Sequence, residues 1–184
     1  MEEAQLIRSC QNGDSHAFQV IVNAYKGKVM AIAYNILRNK QDAEDAAQEA
    51  FIKAYKNLDR FDIQKSFKDW LYSILYNQCM DFLRKRRRFF NLFNKAKGEY
   101  RDTVFNNHKT AIDKSSISRR WLERLNSRER IALSLWANEG YTSDEIAEVM
   151  RCSSSTARVH LFKARRKIKA LLEEENAANT MQNQ

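Results

Sequence analysis

The sequence predicts an all-α protein built as two small helical domains, an N-terminal helical bundle and a C-terminal helix-turn-helix, joined by a linker. Three observations carry this reading. The chain holds four glycines and no proline in 184 residues, too few of the positive-φ and fixed-φ positions that β-sandwich turns, collagen and Gly-rich phosphate loops require. Apolar residues recur at steps of three and four along most of its length, the helical period. That period lapses once, over residues 89–117, and then resumes.

The elements follow in order. Asp14 and Ser15 are candidate caps, and Phe18, Ile21, Tyr25, Val29, Ile32 and Ile36 predict a helix of about 24 residues behind them. A second helix starts near Asn39 and lines one face with Ala43, Ala46, Ala47, Ala50, Phe51, Ala54 and Leu58. Its first turns carry Asp42, Glu44 and Asp45, where the helix dipole favours anions. The third helix is predicted over residues 66–88, with Phe67, Leu71, Ile74, Gln78 and Phe82 on its inner stripe. The stripe of Tyr72, Tyr76, Met80 and Arg84 is expected to face outward. Residues 89–117 keep Phe89, Phe90, Leu92, Phe93, Tyr100 and Phe105 among basic and polar neighbours, a linker too aromatic for a solvated tether. Periodicity resumes at Ser118 and runs through residues 118–175. Asn126 and Ser127 can cap a helix carrying Ile131, Ala132, Leu135 and Trp136, which Gly140 ends. Thr142-Ser-Asp-Glu145 is a capping box. It opens a short helix, followed by a turn and a final helix from about Ser155 to Glu175. The polar tail, residues 176–184, is expected to fray.

Thirty-two Lys and Arg against 23 acidic residues give a net charge of +9 and a pI of about 9.5, which points to a polyanionic partner. A mean hydropathy of −0.67 goes with the absence of any apolar run long enough to cross a bilayer, so no direct membrane insertion is expected. Cys10, Cys79 and Cys152 lie far apart and form no CxxC pair, which suggests neither a disulfide framework nor a Cys-rich metal site. The acidic start Met1-Glu2-Glu3 does not resemble a secretory signal, so the expected compartment is the cytoplasm.

The chemistry gathers in three places. Thr142 to Leu172 has helix-turn-helix proportions, and its last helix exposes Arg158, His160, Phe162, Lys163, Arg165, Arg166, Lys167 and Lys169 behind Ser153, Ser154, Ser155 and Thr156. Hydroxyls and free amides at such a start suit phosphate. Arg84-Lys-Arg-Arg-Arg88 closes the third helix. That run exceeds what a helix C-terminus needs, and with Tyr72, Tyr76 and Asn77 upstream it reads as a surface for unstacked bases. Asp42, Glu44, Asp45, Gln48 and Glu49 form an acidic strip that suits a basic protein partner. A metal site is not expected, because one helix cannot converge enough carboxylates on an ion. His16, His108 and His160 are scattered, and neither a nucleophile elbow, a Walker loop nor HExxH occurs. No enzyme, metal or cofactor is expected.

Asp42-Ala-Glu-Asp-Ala-Ala-Gln-Glu-Ala-Phe51 and Phe67-Lys-Asp-Trp-Leu-Tyr-Ser-Ile74, followed by Asn77 and the arginine run, resemble the bacterial sigma factors of RNA polymerase. The closest likeness is to the small extracytoplasmic-function (ECF) group. Leu125-Asn-Ser-Arg-Glu-Arg130, Gly140-Tyr-Thr-Ser-Asp-Glu-Ile-Ala147 and Thr156-Ala-Arg-Val-His-Leu-Phe-Lys-Ala-Arg165 resemble the same group's second domain. The resemblance implies an alternative sigma factor with region 2 over residues 1–88, for polymerase docking, minus-ten recognition and melting. Region 4 would span residues 118–175. It implies docking on the clamp and flap of core polymerase, with Asp42, Asp45, Gln48, Glu49 and Phe51 as docking residues. Opened minus-ten DNA would meet Phe61, Lys65, Lys68, Tyr72, Ser73, Tyr76, Asn77, Arg84, Arg86 and Arg87. The minus-thirty-five duplex would meet Ser155, Thr156, Arg158, Val159, His160, Phe162, Lys163 and Arg166. The group also implies an anti-sigma partner, often membrane-attached.

Arg151 stands where the group commonly has glycine, Asn126 and Ser127 where proline is frequent, Ser73 where arginine is, and Val159 at an often polar position. The alternatives weighed against a sigma factor are a helix-turn-helix regulator of duplex DNA and a metal-dependent nuclease using Asp42, Glu44, Asp45 and Glu49. The first has no use for the acidic strip or for aromatics beside a basic run.

Overall fold

The computed structural model describes residues 3–97 and 122–182. Every regular element among them is helical, and the chain forms two compact units.

The first unit opens with a helix that the periodicity did not reveal, α1 (Glu3–Gln11). It is too short to show two full repeats, and only Ile7 and Cys10 on it are buried. At its end the Gln11 side-chain amide donates to the carbonyls of Leu58 and Phe61, at 2.9 and 3.0 Å. One side chain thus holds the turn that precedes the last helix of the unit.

Helix α2 (Ser15–Leu37) is capped by Asp14, whose carboxylate accepts from the amides of His16 and Ala17 at 2.9 and 3.2 Å. It ends at Arg38, which adopts φ 56° and donates its N–H to the Tyr34 carbonyl. Glycine is the usual residue there; here the Arg38 guanidinium lies 5.3 Å over the Tyr34 ring. Helix α3 (Lys40–Lys56) is capped by Asn39. Ala43, Ala46, Ala47, Ala50 and Ala54 are all buried, and their small side chains let α3 lie against both α2 and α4. A 3₁₀ turn, Leu58–Arg60, follows.

Helix α4 (Phe67–Lys97) corrects two expectations. Tyr72 and Tyr76 do not face outward: they are only 1% and 7% exposed. The helix packs on α2 as well as α3, so its first three turns have two inner faces, and Leu75 and Cys79 are buried beside the tyrosines. The helix also continues past Arg88 to Lys97, so the linker expected from residue 89 begins no earlier than residue 98; its remainder lies outside the described residues. Phe61, Phe67 and Trp70 stack around the start of α4 at centroid distances of 4.8 to 5.6 Å, and Tyr25 meets Phe67 at 5.8 Å.

The second unit is built on α5 (Ser127–Glu139), α6 (Ser143–Met150) and α7 (Ser154–Gln182). Asn126 forms a reciprocal capping box with Glu129, and Gly140 closes α5 at φ 71°. The Thr142 box is present as well: Glu145 accepts from the Thr142 amide at 2.7 Å, and the Glu145 amide donates to the Thr142 hydroxyl at 3.3 Å. At the helix-turn-helix corner Arg151 has φ 50° and the Cys152 amide reaches back to the Ala147 carbonyl at 3.0 Å. The left-handed position explains why glycine suits this site. Ile131, Ala132, Leu135, Ile146, Ala157, Leu161, Ala164 and Leu171 supply the core. Helix α7 runs on from Glu175, where the sequence reading ended it, to Gln182.

Candidate nucleic-acid interface and docking strip

On α3 the acidic strip divides in two. Gln48 and Glu49 are exposed, and half-buried Asp45 accepts from the Gln41 amide at 3.3 Å. Phe51 is half-buried on the same helix. Asp42 turns to α4 instead, where Arg86 Nη1 donates to its Oδ2 at 3.3 Å. Asp45, Gln48, Glu49 and Lys53 form one wall of a groove of about 540 Å³ whose other wall is Gln78, Asp81, Phe82 and Lys85 of α4. Sequence reading had put Gln78 and Phe82 on the inner stripe and Lys85 in the basic run, and assigned none of the four to the docking surface. Gln78, a polar residue on an apolar stripe and 8% exposed, was the available signal. Among the described residues no cluster of His, Cys, Asp and Glu forms a metal site, and no helix is long and apolar enough to cross a membrane.

The expected strand-binding set is split by burial. Lys65 is exposed beside a turn that Asp62 stabilises by accepting from the Gln64 amide at 3.0 Å. Lys68 and Asn77 are half-buried. Phe61 belongs to the aromatic core, and Ser73 is buried with its hydroxyl donating to the Trp70 carbonyl at 2.8 Å. Tyr72 and Tyr76 are removed as stacking platforms, because their rings are inside the bundle. In the basic run Arg84 pairs with Asp81 at 2.6 Å, Lys85 lines the groove, and Arg86 holds Asp42. Arg87 and Arg88 are exposed, followed by Phe89 and Phe90 at 66% and 48% exposure. Sequence reading had placed those two rings in a linker; on the helix they are the exposed aromatics beside the cations.

The second unit keeps its expected residues together. Ser155, Thr156, Arg158, Val159, Phe162, Lys163 and Arg166 are all exposed at steps of one, three and four that place them on one face of α7. Phe162 is 64% exposed and Val159 48%, apolar contact area available to a base edge such as a thymine methyl. The cap itself is Ser153, whose hydroxyl accepts from the Thr156 amide at 3.2 Å and lies 2.9 Å from those of Ser155 and Thr156. Behind this face Lys167 bonds the buried Glu129 carboxylate at 2.7 Å, and Arg165 stacks 4.8 Å over Trp136. Glu129, which also caps α5, thus ties the first helix of the unit to the last. His160 sits half-buried at the edge of the face. Burial holds its pKa below the ordinary value of 6.5, Arg128 and Lys163 add to this, and Glu129 opposes it.

Burial raises the pKa of all three free thiols. Burial pushes Cys79 up to about 12 and raises Cys10, where Asp14 adds to it. Cys152 is raised by burial too, against Arg128 and the Ala157 amide, which lower it.

Comparison with known proteins matches two family models, Sigma-70 region 2 over residues 21–89 and Sigma-70 region 4 over residues 119–168. The ECF RNA polymerase sigma factor SigW of Bacillus subtilis is 29% identical over 90% of this chain and 94% of its own. The RNA polymerase sigma-H factor of Pseudomonas aeruginosa is 30% identical over 94% of both, and the ECF sigma-E factor of Escherichia coli K12 is 31% identical over 89% of this chain and 90% of its own. Among solved structures, the sigma factor RpoE of Bartonella quintana, in complex with the anti-sigma factor NepR, superposes with a TM-score of 0.69 at 22% identity. The match covers 85% of this chain and 96% of that one.

Proposed function

Because the chain belongs to the sigma-70 family, in its extracytoplasmic-function group, we propose that its two units divide promoter recognition between opened and duplex DNA. The chain is an alternative sigma factor: it binds core RNA polymerase, directs it to specific promoters and promotes melting at initiation. The chemistry of transcription stays with the polymerase. Asp45, Gln48, Glu49 and Phe51 dock on the clamp of the largest subunit. Lys65, Lys68, Asn77 and Arg87 meet the opened non-template strand, where flipping a base costs a few kcal/mol that charge neutralisation offsets. Arg158, Phe162 and Lys163 read the upstream element in the major groove, with Ser155, Thr156 and Arg166 on its phosphates.

The observation that carries this division is the confinement of the two cationic DNA-facing sets to separate compact units, with the acidic strip on the first alone. The Bartonella quintana relative was solved bound to an anti-sigma factor. By that likeness this chain too is held inactive by an anti-sigma protein until a signal releases it. Its working compartment is the cytoplasm, where core polymerase acts. Run-off transcription from a promoter library, with core polymerase alone and with the chain added, tests the reading. Chain-dependent starts downstream of two shared sequence elements are expected. No initiation at any promoter and no co-elution with core enzyme would overturn it.

A further inference from the structure

Asp42 and Arg86 stand on different helices and meet through Arg86 Nη1 and Asp42 Oδ2 at 3.3 Å, each side chain 30% exposed. The pair is therefore better shielded than an ordinary surface ion pair. Asp42 is fixed at its own end: its amide bonds the Asn39 cap at 2.9 Å, and it lies in the first turn of α3, where the dipole favours an anion. Its neighbours Asp45 and Glu49 line the groove, and Asp42 does not. Arg86 sits in the middle of the cationic run, one residue before exposed Arg87. A guanidinium carries five donors in a planar fork, so a carboxylate on one arm sets the plane in which the others lie.

We propose that Asp42 is not a polymerase contact but a positioning residue, which sets Arg86 against a phosphate of the opened strand. This rests on the sigma-factor reading, and it makes the first turn of the docking helix part of the strand-binding surface.

The test uses the full chain, core polymerase and a fork-junction DNA with a single-stranded non-template overhang, taken from the promoter selection above. Failure of the unaltered chain to assemble with core polymerase would sink the functional reading rather than this one. Given assembly, Asp42→Asn is expected to leave core affinity unchanged and weaken fork binding roughly tenfold, about 1.4 kcal/mol. The log–log salt slope should become shallower by about 0.7, the value for one single-strand phosphate. Arg86→Ala should show the same loss, with no further loss in the double variant. Weakened core binding would make Asp42 a docking contact, and tighter fork binding would make it a competitor of phosphate. Lowered stability with unchanged fork affinity would make the pair a brace. Each of these three results overturns the proposal.

Discussion

Tyr72 shows how a single side chain can belong to the fold rather than to the function its position suggests. At 1% exposure it contributes packing, and Tyr72→Ala should destabilise the first unit by about 3–5 kcal/mol. Chemical denaturation would register this, and any loss of strand binding should track the unfolded fraction. His160 makes a different residue-scale prediction. Its folded-state pKa lies below the ordinary 6.5, so as pH falls the unfolded chain takes up the proton first. Its contribution to stability is therefore undiminished above pH 6.5 and declines as pH falls towards the folded value. Denaturation midpoints of the second unit should drop across that window, and His160→Gln should flatten the slope. Duplex DNA acts oppositely, since phosphates stabilise the imidazolium.

At the scale of elements, the turn at Arg151 pairs a left-handed φ of 50° with a side chain, a conformation costing L-residues roughly 1–2 kcal/mol. Arg151→Gly should raise the stability of the helix-turn-helix by up to about 1 kcal/mol, part of the relief being lost to the greater freedom of the unfolded chain. A thermal melt that moved downward would count against this. The sequence made α2, α3, α5 and α6 legible, with the caps of three of them, because Asp14, Asn126 and Thr142 each carry a local side-chain-to-amide bond that three or four residues encode; at Asn39 it gave the start of α3 but not the cap. Helix α1 was illegible for want of length. The burial of Tyr72 and Tyr76 was illegible for another reason: periodicity identifies one inner face, and α4 has two because α2 and α3 both pack on it. The face of α7 was readable since solvated and buried positions alternate there at the helical period. The Asp42–Arg86 contact spans 44 residues, and no spacing rule reaches that far.

For the whole molecule, two units with separate surfaces imply separable losses. Asp45→Arg with Glu49→Arg should abolish co-elution with core polymerase while leaving duplex binding by the free chain unchanged, as measured by titration with the upstream element. Equal loss of both would show that the surfaces are coupled. The alanine face of α3 has a further consequence in the time domain. It packs against both α2 and α4, with Ala43, Ala46, Ala50 and Ala54 fully inaccessible to solvent, so the amides there can exchange their hydrogens only when the bundle opens as a whole. Deuterium labelling should find residues 46–54 among the slowest in the first unit, and exposed turns such as residues 62–66 among the fastest. The helix that carries the docking strip would then be among the last parts of the bundle to open, keeping its shape while the turns beside it breathe.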